Sequence, residues 1–234
     1  MQAIATDDVA ALGSAQINAL GTSQIGALST DQNDALGTQL MAGLSTRQVA
    51  ALSTDQIGAL QTANITALSS TQTAALSSAQ VGALTTDQVQ ALETQDLRAI
   101  RTTALQGLST DGIDALTTAQ AVALSTAQIA ALTTAQIEAI ATDDIAVLQT
   151  SQVAAFTSTQ TPALSTDQLQ AITTLDVRAM TTRSLQALGT DAIDALTTAQ
   201  AASLTTSQIA ALTTAQVEAI ATDDIASLPS AQIG

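Results

Sequence analysis

A chain of 234 residues could bury a sizeable core, but Phe156 is its single aromatic, so the interior has to be a thin seam of Leu, Ile, Val and Ala. A net charge of −15, with five arginines and neither Lys nor His, disfavours nucleic acid and anionic membrane surfaces, which call for clustered positive charge. The absence of Cys rules out disulfides and leaves the redox compartment open, and neither a bilayer-spanning apolar run nor a basic-then-apolar leader is present.

One eight-residue phrase runs from end to end without insertion, clearest at Leu132-Thr133-Thr134-Ala135-Gln136-Ile137-Glu138-Ala139. Every eighth residue from Ile4 to Leu228 is large and apolar, and every third position from Thr6 to Ser230 is Ser or Thr. The fifth is usually Gln or Asp, the sixth usually Ile, Val or Leu, and the eighth is small, Val147 being the bulkiest exception. A fixed period of this kind marks an array of one supersecondary unit.

An uninterrupted helix turns about 100° per residue, so an eight-residue apolar period would wind around it and leave no face to bury. Strand alternation fits poorly as well, and Ala, Gln and Leu favour helix. The expected unit is therefore a short helix followed by a bend. Its N-cap is expected at the third position, for example Thr134, because the second admits Gln61, Glu93, Arg101 and Pro229 and the third admits only hydroxyls. A competing capping box pairs Thr133 with Gln136. Helices this short need their neighbours for order, so the array has to be cooperative.

A second period overlies the first. Arg98, Glu138, Arg178 and Glu218 alternate in sign at 40-residue steps, as do Asp7, Arg47 and Asp87, and Asp143, Arg183 and Asp223. Residues 84–154 and 164–234 are copies 80 apart, but copying preserves sign, whereas these series reverse it. The expected fold is thus an all-α solenoid with five octads, about 40 residues, per superhelical turn, which would set Arg178 beside Glu138 and Glu218. A five-sided β-solenoid is the alternative that the same periods could describe.

In chain order, the pattern is entered mid-octad at Met1 and left mid-octad at Gly234, so residues 1–234 read as a single array, either part of a longer one or a subunit stacking end to end. Irregular patches fall at 33–44, where Asn33 takes an apolar position and Leu40 a Gln position, and at 101–115, where Ala104 and Gly112 replace Gln; 181–195 repeats the latter. Within 156–164, Pro162 lies inside an expected helix and should loosen or kink that octad.

Nucleophilic triads and common zinc sites draw on His or Cys, so no catalytic, cofactor or metal residue is assigned and an enzyme is not expected. Asp7-Asp8, Asp143-Asp144, Asp223-Asp224, Asp111 with Asp114 and Asp191 with Asp194 could be calcium ligands or acid–base couples, but carboxylates in a first helical turn also fit the positive helix end, the reading preferred here. The glycines at second positions, Gly13, Gly21, Gly37 and Gly189, read as bend residues. The fifth-position Gln row could bind sugar or ice, but the preferred reading is that it ties one bend to the next.

Phrases such as Leu124-Ser-Thr-Ala-Gln-Ile-Ala-Ala-Leu132 and Leu204-Thr-Thr-Ser-Gln-Ile-Ala-Ala-Leu212 resemble the Leu-Thr-Thr-x-Gln-[Ile/Val]-x-Ala octapeptides of very large bacterial surface or secreted proteins, some labelled as haem-utilisation or adhesion proteins. The resemblance covers essentially the whole chain and implies an extracellular, structural setting. The haem label finds no ligand here, with no His or Tyr and three Met. The expectation is a non-enzymatic shaft of a bacterial surface fibre, adhesin or self-assembling filament that associates with itself end to end or laterally. The alternative is an acidic repetitive module for glycan, calcium or a protein partner.

Overall fold

A computed structural model describes residues 5–228, so Ile4, Pro229, Ser230 and the two terminal part-octads lie outside the described residues. The chain divides into two compact units, Met1–Ala123 and Leu124–Gly234, at a point where neither composition nor octad register changes. Among the described residues there are 27 α-helices, one 3₁₀ helix and no strand. The helical expectation therefore holds and the β-solenoid alternative does not. Helices run from four residues (Thr22–Ile25) to seven (Gly37–Gly43).

The octad's bend consists of its first two residues. Leu92 (φ −62°, ψ 130°) ends one helix in extended backbone, and Thr133 (φ −71°, ψ 162°) opens another from the same region. This corrects the expected cap. Thr133 is the N-cap, its hydroxyl accepting from the backbone N–H of Gln136 at 3.2 Å, and Thr134 is already the first helical residue. The Gln136 side chain returns the interaction by accepting from the N–H of Thr133 at 3.0 Å, which closes a capping box. Where the second position lacks a hydroxyl, the second half of the box persists: Gln16 accepts from Gly13 N–H and Gln24 from Gly21 N–H, each at 2.8 Å. The glutamine arm needs only the backbone N–H of the second position, which is why Gly13, Gly21 or Gln149 can sit there.

The sixth and first positions form the core. Val9, Ile57, Val89, Ile137 and Val177 are fully buried, and the first-position leucines from Leu28 to Leu204 nearly so. Helices stack on those three octads away. In the first unit Ser70–Thr73 packs between Thr46–Ala50 and Thr94–Ala99; in the second, Thr174–Ala179 packs between Thr150–Val153 and Thr198–Ser203. Glutamine side chains reach across three to four octads: Gln48 meets the backbone at Ile17 and Leu20, and Gln168 at Ile137 and Ile140. Within each unit, then, a superhelical turn takes between three and four octads, and the expected five-octad turn is corrected. At that pitch a 40-residue step falls between rows, so it does not set Arg178 against Glu138 and Glu218. The alternating charges are a pattern of the exposed surface, since axial neighbours are decided by buried side chains whose partners lie 23 to 31 residues away.

Pro162 acts as expected. Its octad has no α-helix but a 3₁₀ turn, Thr161–Ala163, because the ring removes a backbone donor. Residues 33–44 differ in another way: Gly37, with φ +64°, turns the chain through the left-handed region that glycine enters freely, and Leu36 before it is helical instead of extended.

Candidate functional site

The polar row that could have formed a repetitive binding array is the fifth-position glutamine, and from Gln32 to Gln216 the structure turns it inward, while Gln16 and Gln24 are exposed. Gln48, Gln56, Gln88, Gln168 and Gln200 are all buried. Gln48 shows how the rung is made. Its Oε1 accepts from the Ser45 N–H at 2.9 Å and the Ser45 hydroxyl at 2.8 Å, and its Nε2 donates to the carbonyls of Ile17 at 2.8 Å and Leu20 at 3.0 Å. Both protons of the amide are used on backbone carbonyls near a helix end, where acceptors are in surplus. One side chain therefore caps its own helix and braces an earlier turn. Gln56, Gln80, Gln88 and Gln120 repeat the arrangement in the first unit, and Gln160, Gln168, Gln200, Gln208 and Gln216 in the second.

Where glutamine is missing, other groups take over part of the rung. Ser184 donates its hydroxyl to the Phe156 carbonyl at 2.7 Å, 28 residues back, the same step that Gln168 makes to Ile140. Asn64, one methylene shorter, falls in an octad whose second position, Gln61, gives no side-chain cap. There Asp34 reaches across from an earlier turn and accepts from the Gln61 N–H and the Asn64 amide, each at 3.2 Å. A second set of ties runs the other way. Thr73, Thr161 and Asn33, polar residues at the apolar sixth position, donate to the carbonyls of Asp96, Ser184 and Gln56, each 23 residues on. Among the described residues Asn33 Oδ1 is buried without a hydrogen-bond partner.

The paired carboxylates do not converge. Asp143 is exposed while Asp144 is 3% exposed, and Asp223 is exposed while Asp224 is 4% exposed, because adjacent helical side chains diverge by about 100°. Asp7, Asp8, Asp111 and Asp114 are all exposed. Each of the three Asp-Asp pairs does sit in a first helical turn, as the helix-dipole reading expects. Asp96 accepts from the Ser70 hydroxyl at 2.6 Å and Asp176 from the Thr173 hydroxyl at 2.6 Å. Among the described residues no group of three or more His, Cys, Asp or Glu side chains is placed to hold a metal ion, and no helix is long and apolar enough to cross a membrane. Gly13, Gly21 and Gly189 are N-caps of short helices, in keeping with their reading as bend residues.

The glutamine ladder was visible in the sequence as a row, but its burial was not, since a fifth-position Gln on a lone helix looks exposed. The signal was the pairing of Gln with Ser or Thr three residues earlier, which fixes the side chain against its own backbone and turns the amide toward the preceding coil.

No curated protein gives a significant match. The family model of the ALTTAQ repeat matches six overlapping or successive segments, residues 1–38, 34–62, 57–94, 89–126, 137–174 and 169–206. Its phrase stands unaltered at Ala131-Leu132-Thr133-Thr134-Ala135-Gln136 and Ala195-Leu196-Thr197-Thr198-Ala199-Gln200, so the core, the cap and the rung described above are the family's own letters, and the chain belongs to the ALTTAQ repeat family.

Proposed function

We propose that this chain is a non-enzymatic structural array, the shaft of an extracellular bacterial fibre, adhesin or self-assembling filament. The observation that carries the reading is the fate of the glutamine row. The fifth-position glutamine row, from Gln32 to Gln216, is buried and committed to bracing one turn on another, as in Gln168 with Ile137 and Ile140. A surface built to bind a repetitive ligand would keep such a row in solvent. A shaft needs it inside, where it holds the pitch. Stability in such an array is the sum of unit and nearest-neighbour terms, so length can be added without redesign. The resemblance of the octads to those of large bacterial surface proteins supports the setting. Self-association, end to end or lateral, belongs to the same proposal.

The test is electron microscopy of the full-length gene product together with protease shaving of intact cells. Rods or filaments, and release of this segment by shaving, are the expected results. Isolated short particles that saturate with calcium or a glycan would replace the shaft with the acidic binding module.

A further inference from the structure

Apart from Ser70, the third-position hydroxyls of the described octads form no tie between turns. The second position makes the cap, yet it is Ala5, Gly13, Gln61, Glu93, Arg101 or Ala141 in various copies. The third position is Ser or Thr in every described octad from Thr6 to Thr222, and none of these residues is buried. Among them only the Ser70 side chain makes a hydrogen bond to another residue, Asp96. A first helical position tolerates most residues and favours Pro or an acid. Here neither ever occurs, although acids fill the next two positions freely, as at Asp143 and Asp144.

Common descent does not account for this. Between the two copies 80 residues apart, the second position has diverged from Glu93 to Thr173, Arg101 to Thr181, Ser109 to Gly189 and Gln149 to Pro229. The third has kept its hydroxyl through every one of those octads, changing only from Thr150 to Ser230. Ser and Thr differ in their methyl group and share only the hydroxyl, so the hydroxyl is what has been kept.

We infer that the third-position Ser and Thr hydroxyls are acceptors for O-linked sugars. In the transfer, the hydroxyl oxygen attacks the anomeric carbon of an activated sugar, a sugar nucleotide or polyprenyl-phosphate sugar. A carbon–oxygen bond forms as the bond from that carbon to the phosphate breaks. The hydroxyl proton passes to a base of the transferase, and the phosphate-bearing carrier leaves. Phosphorylation fits the same hydroxyls less well. Thr54, Thr86, Thr110 and Thr166 each precede an aspartate in a chain of net charge −15, and a phosphate would add about −1.5 to −2 beside each carboxylate. A neutral sugar adds none. Short helices whose first turn opens to solvent also present these residues readily to an enzyme.

This deepens the shaft reading and rests on it for the compartment. The test is mass spectrometry of the chain isolated from cells that naturally make it, with electron-transfer fragmentation to place each increment. The expected result is an excess of whole sugar units on third-position residues, absent from the same chain made in a cell-free system. A quadruple variant, Thr166→Val, Thr174→Val, Thr182→Val and Thr190→Val, keeps its helical circular dichroism and loses the sugars of those four octads. The encoded mass, phosphate in place of sugar, or sugars on second-position hydroxyls as often as on third would each overturn the inference. Shaving separates the two proposals: unmodified chain released from the cell surface sinks this inference alone, and modified chain confined inside the cell sinks the shaft alone.

Discussion

Replacing Gln168 tests the ladder at one rung. The side chain is 2% exposed and makes three short hydrogen bonds, from the Ser165 N–H at 2.9 Å and to the carbonyls of Ile137 at 3.0 Å and Ile140 at 2.7 Å. At about 0.5–1.5 kcal/mol net for each, Gln168→Ala should cost about 2–4 kcal/mol. Gln168→Glu is the sharper variant because it is nearly isosteric. Its carboxylate can still accept from Ser165 but places an anion against two carbonyl oxygens, so at neutral pH it should lose more than the alanine. Protonation gives the glutamic acid a donor. Its folded-state pKa is therefore raised above the unfolded value, so the loss is greatest above the folded pKa and shrinks as the pH falls through it. Urea unfolding followed by circular dichroism gives the magnitudes, and native-state hydrogen exchange should show amides of Thr134–Glu138 and Thr166–Ala171 losing protection together. A cost below about 0.5 kcal/mol for the alanine, or a glutamate as stable as the parent at pH 7, would refute the argument.

The position of the cap is checked by a pair of variants: Thr133→Ala should cost about 0.5–2 kcal/mol and Thr134→Ala close to nothing, and equal costs in denaturant titrations would contradict it. Asn33 is fully buried with Oδ1 unpartnered and a single long donor contact to Gln56 at 3.4 Å, so Asn33→Leu should raise stability by about 1–3 kcal/mol in the same titrations. At Gly107 an added Cβ would stand 2.1 Å from the Ser78 carbonyl oxygen, a backbone atom that cannot swing away, so Gly107→Ala should lower stability by about 1–3 kcal/mol although alanine fills the eighth position in most other octads.

The helices and the core were legible because the octad's apolar sixth and first positions leave only one short helical face to bury, and Ile137 with Ile140 shows that face directly. The capping box was legible too, but invariance misled its placement. The third-position hydroxyl is the more constant, and constancy looked like structural duty, whereas the Gln136 arm makes the Thr133 hydroxyl replaceable. The superhelical turn was not legible from charge, because exposed Arg and Glu side chains exert weak forces and record no neighbour. It was written instead in compensations between buried or half-buried positions. Gln61 and Asn64 are two defects in one octad, answered by Asp34 about one turn earlier, and Gly82 sits where the Gly107 carbonyl of the next turn approaches to 2.7 Å of its would-be Cβ. Such partners are separated by 25–30 residues and become recognisable only once the turn is known. The paired aspartates were misleading as sites for a simpler reason: side chains one residue apart on a helix face different ways.

The central claim is that a turn takes between three and four octads, so that residues about 25 apart touch and residues 40 apart do not. The chain has no native Cys, so engineered pairs give an unambiguous answer. Gln170 donates to the Ala195 carbonyl at 2.9 Å, and the double variant Gln170→Cys with Ala195→Cys should be joined rapidly by a short bis-thiol cross-linker. The pair Gln170→Cys with Ala210→Cys, at the 40-residue step, should stay unjoined under the same conditions. Efficient joining of the second pair and not the first would contradict the account.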